Sequence, residues 1–247
     1  MGISHYLAMT AEEISTAEVL PQWLSYMACH FSPYGTGLTG RPKVLPPNAM
    51  LILNDRIPYC GHDQSWIAEQ LEQWAQQLQC SCVLLDFQRD DTPKDLGVFL
   101  AQTISCPTAV AADFATGTDC SVFLPPVPPD VSPEKYLKPW TGREIWLETT
   151  PEVLQITVDS NGTRKVSLPL HEFTPLSFED KALCCHYRTE VFPDQAVFTL
   201  QRTKEDLMHL LEEAASLGVT KAVSLYQQII TTSELVVCSD PRRVNSC

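Results

Sequence analysis

The chain has 247 residues, 44% apolar and 19% charged, with 17 basic against 30 acidic side chains and a formal net charge of -13. That balance excludes a disordered polar chain, and an acidic field unbroken by any basic run sets the protein against nucleic acid and anionic membrane as partners. No apolar stretch approaches the roughly 18 residues of a membrane span, and the N-terminus, with Glu12, Glu13 and Glu18, lacks the basic flank and apolar core of a leader, so a cytoplasmic location is expected.

In chain order, SYMACHF (25–31) reads as a strand. GTGLTG at 35–40 follows no strand-to-helix junction of the dinucleotide-binding kind, so no cofactor is expected. AMLILND (49–55) and SCVLLDF (81–87) flank a helix over 63–79, where Ile67, Leu71, Trp74, Ala75 and Leu78 share one face. A second helix is expected to open at Thr92 and Pro93, an N-cap followed by a residue suited to the first helical position. TAVAADF (108–114), CSVFLPP (120–126) and EIWLE (144–148) read as further strands, with a helix opening at Ser132 and Pro133 between the last two.

Beyond them, alternation on both sides of Asn161 and Gly162 predicts a β-hairpin over 153–168. ALCCHY (182–187) and AVFTLQ (196–201) read as strands, and a helix over 203–217 stops at Gly218 before a last strand, KAVSLY (221–226).

Many of these runs are apolar at consecutive positions, which strands covered on both faces require, so the sheet is expected to be parallel. Repeated strand–helix–strand units build either an open doubly wound sheet or a closed barrel. The number of strands favours closure. The expected fold is a single α/β domain over 1–247, an irregular (β/α)8-like TIM barrel with a β-hairpin insertion at 153–168. Irregularity is expected where too few residues separate 108–114 from 120–126 for a crossover helix. The ten cysteines are scattered through apolar runs and read as reduced core residues rather than a disulfide or zinc framework.

The run VLLD, Val83 to Asp86, stops abruptly at a carboxylate. In a (β/α) barrel the C-terminal strand ends face one pocket, and Asn54, Asp86, Asp113, Glu148, Tyr187 and Tyr226 all stand at such ends. A lone strand-end acid also begins loops and caps helices, so the reading rests on several ends together.

The stretch from Ser81 to Gln88 resembles the DxxDxDxE motif of the chitinases of glycoside hydrolase family 18. Asp86 matches its last aspartate and Phe87 its aromatic, Gln88 stands where the catalytic glutamate belongs, and Ser81 and Leu84 occupy the two earlier aspartate positions. CHYR resembles the later MxYD motif, keeping Tyr187 but with Arg188 for the aspartate, and AVSLY resembles the final strand with Tyr226 in place of a tryptophan. The resemblance implies a carbohydrate site in which an acid protonates the glycosidic oxygen and Asp86 orients the substrate amide. A glutamine donates hydrogen bonds but gives up no proton at neutral pH, so Gln88 cannot be that acid.

Either another carboxyl serves, Asp113 and Glu148 being the candidates beside Asp86 as catalytic residues, or hydrolysis has been lost; Gln88, Asn54, Tyr187 and Tyr226 are expected to bind substrate in either case. A metal held by His30, His186 and Asp86 is not expected. The function read from the sequence is a glycoside-hydrolase-like barrel that binds or hydrolyses an oligosaccharide. The alternative is a non-catalytic cytoplasmic interaction domain using the proline-rich LPPVPPDVSP at 124–133.

Overall fold

The computed structural model describes residues 2–230 apart from 36, 62, 117–118, 169–175 and 177. The elements are β1 (Ser4–Met9), α1 (Ala11–Thr16), β2 (Leu24–Phe31), β3 (Leu38–Thr39), β4 (Met50–Asn54), α2 (Gln64–Gln77), β5 (Cys82–Asp86), α3 (Leu96–Thr103), β6 (Thr108–Ala111) and β7 (Ser121–Leu124). They continue with α4 (Pro133–Leu137), β8 (Ile145–Glu148), β9 (Glu152–Asp159), β10 (Gly162–Leu168), β11 (Phe178–Asp180), β12 (Cys185–Val191), β13 (Gln195–Arg202), α5 (Lys204–Ser216), β14 (Val219–Leu225) and α6 (Tyr226–Ile230).

Parallel strands run β1, β14, β8, β7, β6, β5, β4, β2, and β1 pairs with β2 as well as β14, which closes the sheet into an eight-stranded barrel. β3 adds a short antiparallel pairing on β2. The expected barrel is therefore present and closed.

Both faces of each strand are covered, and the two-residue period sorts the side chains. Tyr6, Met50, Ile52, Cys82, Leu84, Phe123, Trp146 and Val223 fill the interior. Leu51, Leu53, Val83, Leu85, Val110, Ile145 and Leu147 point outward onto Ile67, Leu71, Leu100, Leu207 and Leu210 of the helices. α2 begins at Asp63, whose side chain accepts from the Ser65 and Trp66 N–H groups. α5 begins with a reciprocal cap between Thr203 and Asp206, and Gly218 with φ of 100° follows it as expected.

Three features depart from the sequence reading. β1 was not anticipated, because its apolar residues are confined to one short run beside the polar Ser4 and His5. The helix expected at Thr92 starts at Leu96, since the Thr92 hydroxyl is turned onto Asp55. The runs at 182–187 and 196–201 are not barrel strands: β12 and β13 join β11 and the β9–β10 hairpin in a five-stranded antiparallel sheet inserted between β8 and β14. Between β6 and β7 the chain forms a single 3-10 turn, Ala112–Phe114, in place of a crossover α-helix.

The inserted sheet is tied to the segment after β7. Arg202, 2% exposed, donates to the carbonyls of Cys184 (3.2 Å), Leu183 (2.7 Å) and Val127, and Lys165 pairs with Asp130. The proline-rich segment at 124–133 is thus partly covered by the protein's own sheet, with Val127 and Pro129 buried. At the N-terminal end of the barrel Glu144 accepts from Ser121 (2.7 Å), Thr220 (2.7 Å), Trp146 (3.0 Å) and Lys221 (3.1 Å). Burial raises its affinity for a proton, but these four donors outweigh burial and bring the carboxyl down to about 2.

Arg202→Met keeps much of the side-chain volume and strips three carbonyls, two of them buried, of their donor. It is expected to lower stability by about 3 kcal/mol in urea denaturation, whereas an unchanged midpoint would show that the insertion is held by other contacts.

Candidate functional site

The site follows from strand parity. Cys82 and Leu84 face the barrel interior, so Asp86 faces its C-terminal mouth; Met50 and Ile52 bring Asn54 there, and Trp146 brings Glu148. Asn54 and Asp86 are register partners on neighbouring strands. The mouth opens into a cavity of about 1240 Å³. Ile52, Leu84, Phe123 and Val223 form its apolar floor, Thr10, Glu12, Glu13 and Thr16 of the α1 segment form one wall, and His30, Arg56 and Arg89 also line it.

Asp86 and Gln88 meet as their spacing predicts, with the Gln88 amide donating to Asp86 Oδ1 at 3.1 Å. Phe87, between them, turns outward and packs on Phe31 and Phe114. Asn54 is committed to the backbone, donating to the Met27 carbonyl at 2.9 Å and accepting from the Arg56 N–H at 3.1 Å, so it shapes the mouth rather than presenting a free amide oxygen.

The electrostatics single out two carboxyls. Burial raises the proton affinity of Asp86, the Gln88 amide opposes that, and the charge of Asp55 adds to it. Glu148 is pushed up from 4.5 to about 7, first by burial and then by the neighbouring Asp86 charge. Among the described residues no cation is paired with either. Both carboxyls are raised by burial and by a like charge, Glu148 as far as about 7, and two carboxyls set apart in this way are what acid–base catalysis by a pair uses.

Three expected site residues lie elsewhere. Asp113 would continue the inward parity of Ala109, but Ala111 already packs with the outer core and the 3-10 turn breaks the alternation, and Asp113 is not among the residues lining the cavity. Tyr187 belongs to β12 and stacks on Phe178 with ring centroids 5.7 Å apart. Tyr226 follows inward-facing Leu225 with opposite parity and packs against the outer core. His186 is bonded to Asp206 at 2.9 Å, away from His30, and no cluster of three metal-ligating side chains exists among the described residues. The reading missed the α1 wall, although Thr10 and Glu13 form the capping box that S/T-x-x-E announces. It also missed Arg56 and Arg89, which stand in loops without periodicity.

A carboxyl raised in the folded state favours folding below its unfolded value and loses that advantage as pH rises through the folded one. Glu148 therefore contributes stability that is full below 4.5 and lost as pH rises through about 7. Glu148→Gln is expected to remove this loss and to be more stable than the parent at pH 8. Asp86→Asn, which deletes the like charge, is expected to lower the Glu148 midpoint in a carboxyl NMR titration. A Glu148 midpoint near 4.5 in the parent would contradict the geometry.

No protein-family model and no curated protein matches the chain. Solved structures do. A family GH18 chitinase from Cycas revoluta, in complex with allosamidin, superposes with a TM-score of 0.55 at 11% identity over 92% of this chain and 96% of that one. The spore cortex-lytic enzyme SleL of Bacillus megaterium gives 0.54 at 8% over 94% and 73%, and a chitinase-like agglutinin from Robinia pseudoacacia gives 0.53 at 9% over 92% and 97%. At such identities the likeness is one of fold: this chain has the barrel architecture of the GH18 chitinases.

Proposed function

We propose that the barrel mouth binds a carbohydrate chain and hydrolyses it with Glu148 as the proton donor and Asp86 as the charged partner. The observation that carries this is the carboxyl pair facing the cavity with no paired cation among the described residues, Glu148 being pushed up to about 7. Protonated Glu148 delivers its proton to the leaving glycosidic oxygen as the bond to the anomeric carbon breaks, the Asp86 carboxylate faces the positive charge that develops there, and a water from the open cavity then adds to the anomeric carbon and returns its proton to Glu148. Gln88 takes no part in proton transfer; its amide holds Asp86. The fold supports the substrate class, since the Cycas structure contains allosamidin and the Robinia protein is a chitinase-like agglutinin. The interaction-domain alternative loses part of its surface, because the segment at 124–133 is packed by the inserted sheet.

The test is a panel of chito-, cello- and xylo-oligosaccharides, followed by calorimetry and by release of reducing ends. At least one member is expected to bind, and turnover is expected to fall as pH rises past about 7 with Glu148 deprotonation. Glu148→Gln should lower kcat by about 100-fold or more while leaving binding in place. Absence of binding across the panel would overturn the proposal, and binding with turnover indifferent to Glu148→Gln would leave a sugar site but remove its catalytic assignment.

A further inference from the structure

Asp55 follows β4 and is 2% exposed. Buried carboxylates require a cation or a full set of donors, and among the described residues no cation is paired with Asp55. Its donors come instead from one turn. The Gln88 N–H reaches both oxygens at 3.0 Å, the Arg89 N–H reaches Oδ2 at 2.9 Å, and the Thr92 hydroxyl reaches Oδ2 at 2.7 Å. Oδ2 accepts from all three donors and Oδ1 from the Gln88 N–H alone, so an asparagine with its oxygen in the Oδ2 place turns its NH2 against that N–H and loosens the hold on Gln88, which a carboxylate does not. The same turn carries the Gln88 side chain, whose amide donates to Asp86.

We propose that Asp55 is the positioning residue of the carboxyl site: it anchors the main chain of the 88–92 turn so that the Gln88 amide stays on Asp86. The role is indirect, since Asp55 acts through the turn, and the inference rests on Asp86 and Glu148 being the working pair. A mere structural clamp would affect folding alone. Positioning also changes the charge state of Asp86, and in a direction that separates it from a simple charge effect.

Three influences act on Asp86, in order of size: burial raising its midpoint, the Gln88 donor lowering it, and the Asp55 charge raising it. Glu148 faces it across the mouth, and His30, Arg56, Arg89, Glu12 and Glu13 line the same cavity. Replacing Asp55 by asparagine deletes the smallest of the three, which alone lowers the midpoint. If the turn also lets go of Asp86, the larger Gln88 contribution is lost and the midpoint rises.

The experiment is a carbon-13 carboxyl titration of the full chain, in the parent, Asp55→Asn, Gln88→Ala and the double variant, with Glu144→Gln as a variant at the opposite end of the barrel. Asp55→Asn is expected to raise the Asp86 midpoint. In the Gln88→Ala background the same substitution is expected to lower it, because only the charge effect is left. Glu144→Gln should leave Asp86 where it was. A fall or no change in Asp55→Asn with Gln88 present would overturn the proposal. Should Asp55→Asn not fold, Thr92→Val removes one donor and keeps the charge; a raised Asp86 midpoint then supports the proposal and an unchanged or lowered one overturns it. The readout needs no sugar, so failure of the carbohydrate reading is told apart from failure of this one.

Discussion

Closure of the parallel sheet is the constraint on which the rest depends. Once β1 pairs with β14 on one side and β2 on the other, every strand has an inside and an outside, and the two-residue period decides which side chain goes where. The interior is filled up to Ile52, Leu84, Phe123 and Val223, and the next inward position on several strands falls at the mouth. Asp86 and Glu148, on different strands, face one cavity for that reason. The carboxyl pair is a consequence of closure and parity.

The two ends of the barrel treat their acids differently. At the N-terminal end Glu144 is surrounded by four donors and its proton affinity falls. At the C-terminal mouth Asp86 has one side-chain donor, and Glu148 is raised by burial and by its neighbour. A satisfied carboxylate stabilises a fold, while a poorly compensated one is a cost that the surrounding structure must carry. The asymmetry is the reason the proposal puts a catalytic pair at the mouth, the end where barrels of this architecture carry their active sites, and Asp55 shows how another acid is satisfied, with no cation paired to it among the described residues, by gathering the donors of a single turn.

Much of this was legible in the residues, and the limits are physical. Consecutive apolar runs announced a sheet covered on both faces, and the abrupt stop of VLLD at Asp86 marked the mouth. Glu148 and Asn54 reach the same mouth by the same rule. The rule failed where the strand did not continue: Asp113 left the alternation in a 3-10 turn, and Tyr226 stood one residue out of phase with Leu225. Tyr187 failed for a different reason, since a short apolar run does not reveal whether its partners are parallel barrel strands or the antiparallel strands of an insertion. The donors around Asp55 come from a turn whose hydrogen bonds have no periodic signature.

The central claim is that the strand-end carboxyl pair forms a sugar site, and a crystal structure of the protein with a bound chito-oligosaccharide tests it most directly. The account predicts sugar in the cavity above Ile52 and Leu84, with a glycosidic oxygen within hydrogen-bond reach, roughly 3 Å, of the Glu148 carboxyl. An oligosaccharide seated elsewhere, or one in the cavity with Glu148 turned away from every glycosidic oxygen, would contradict it.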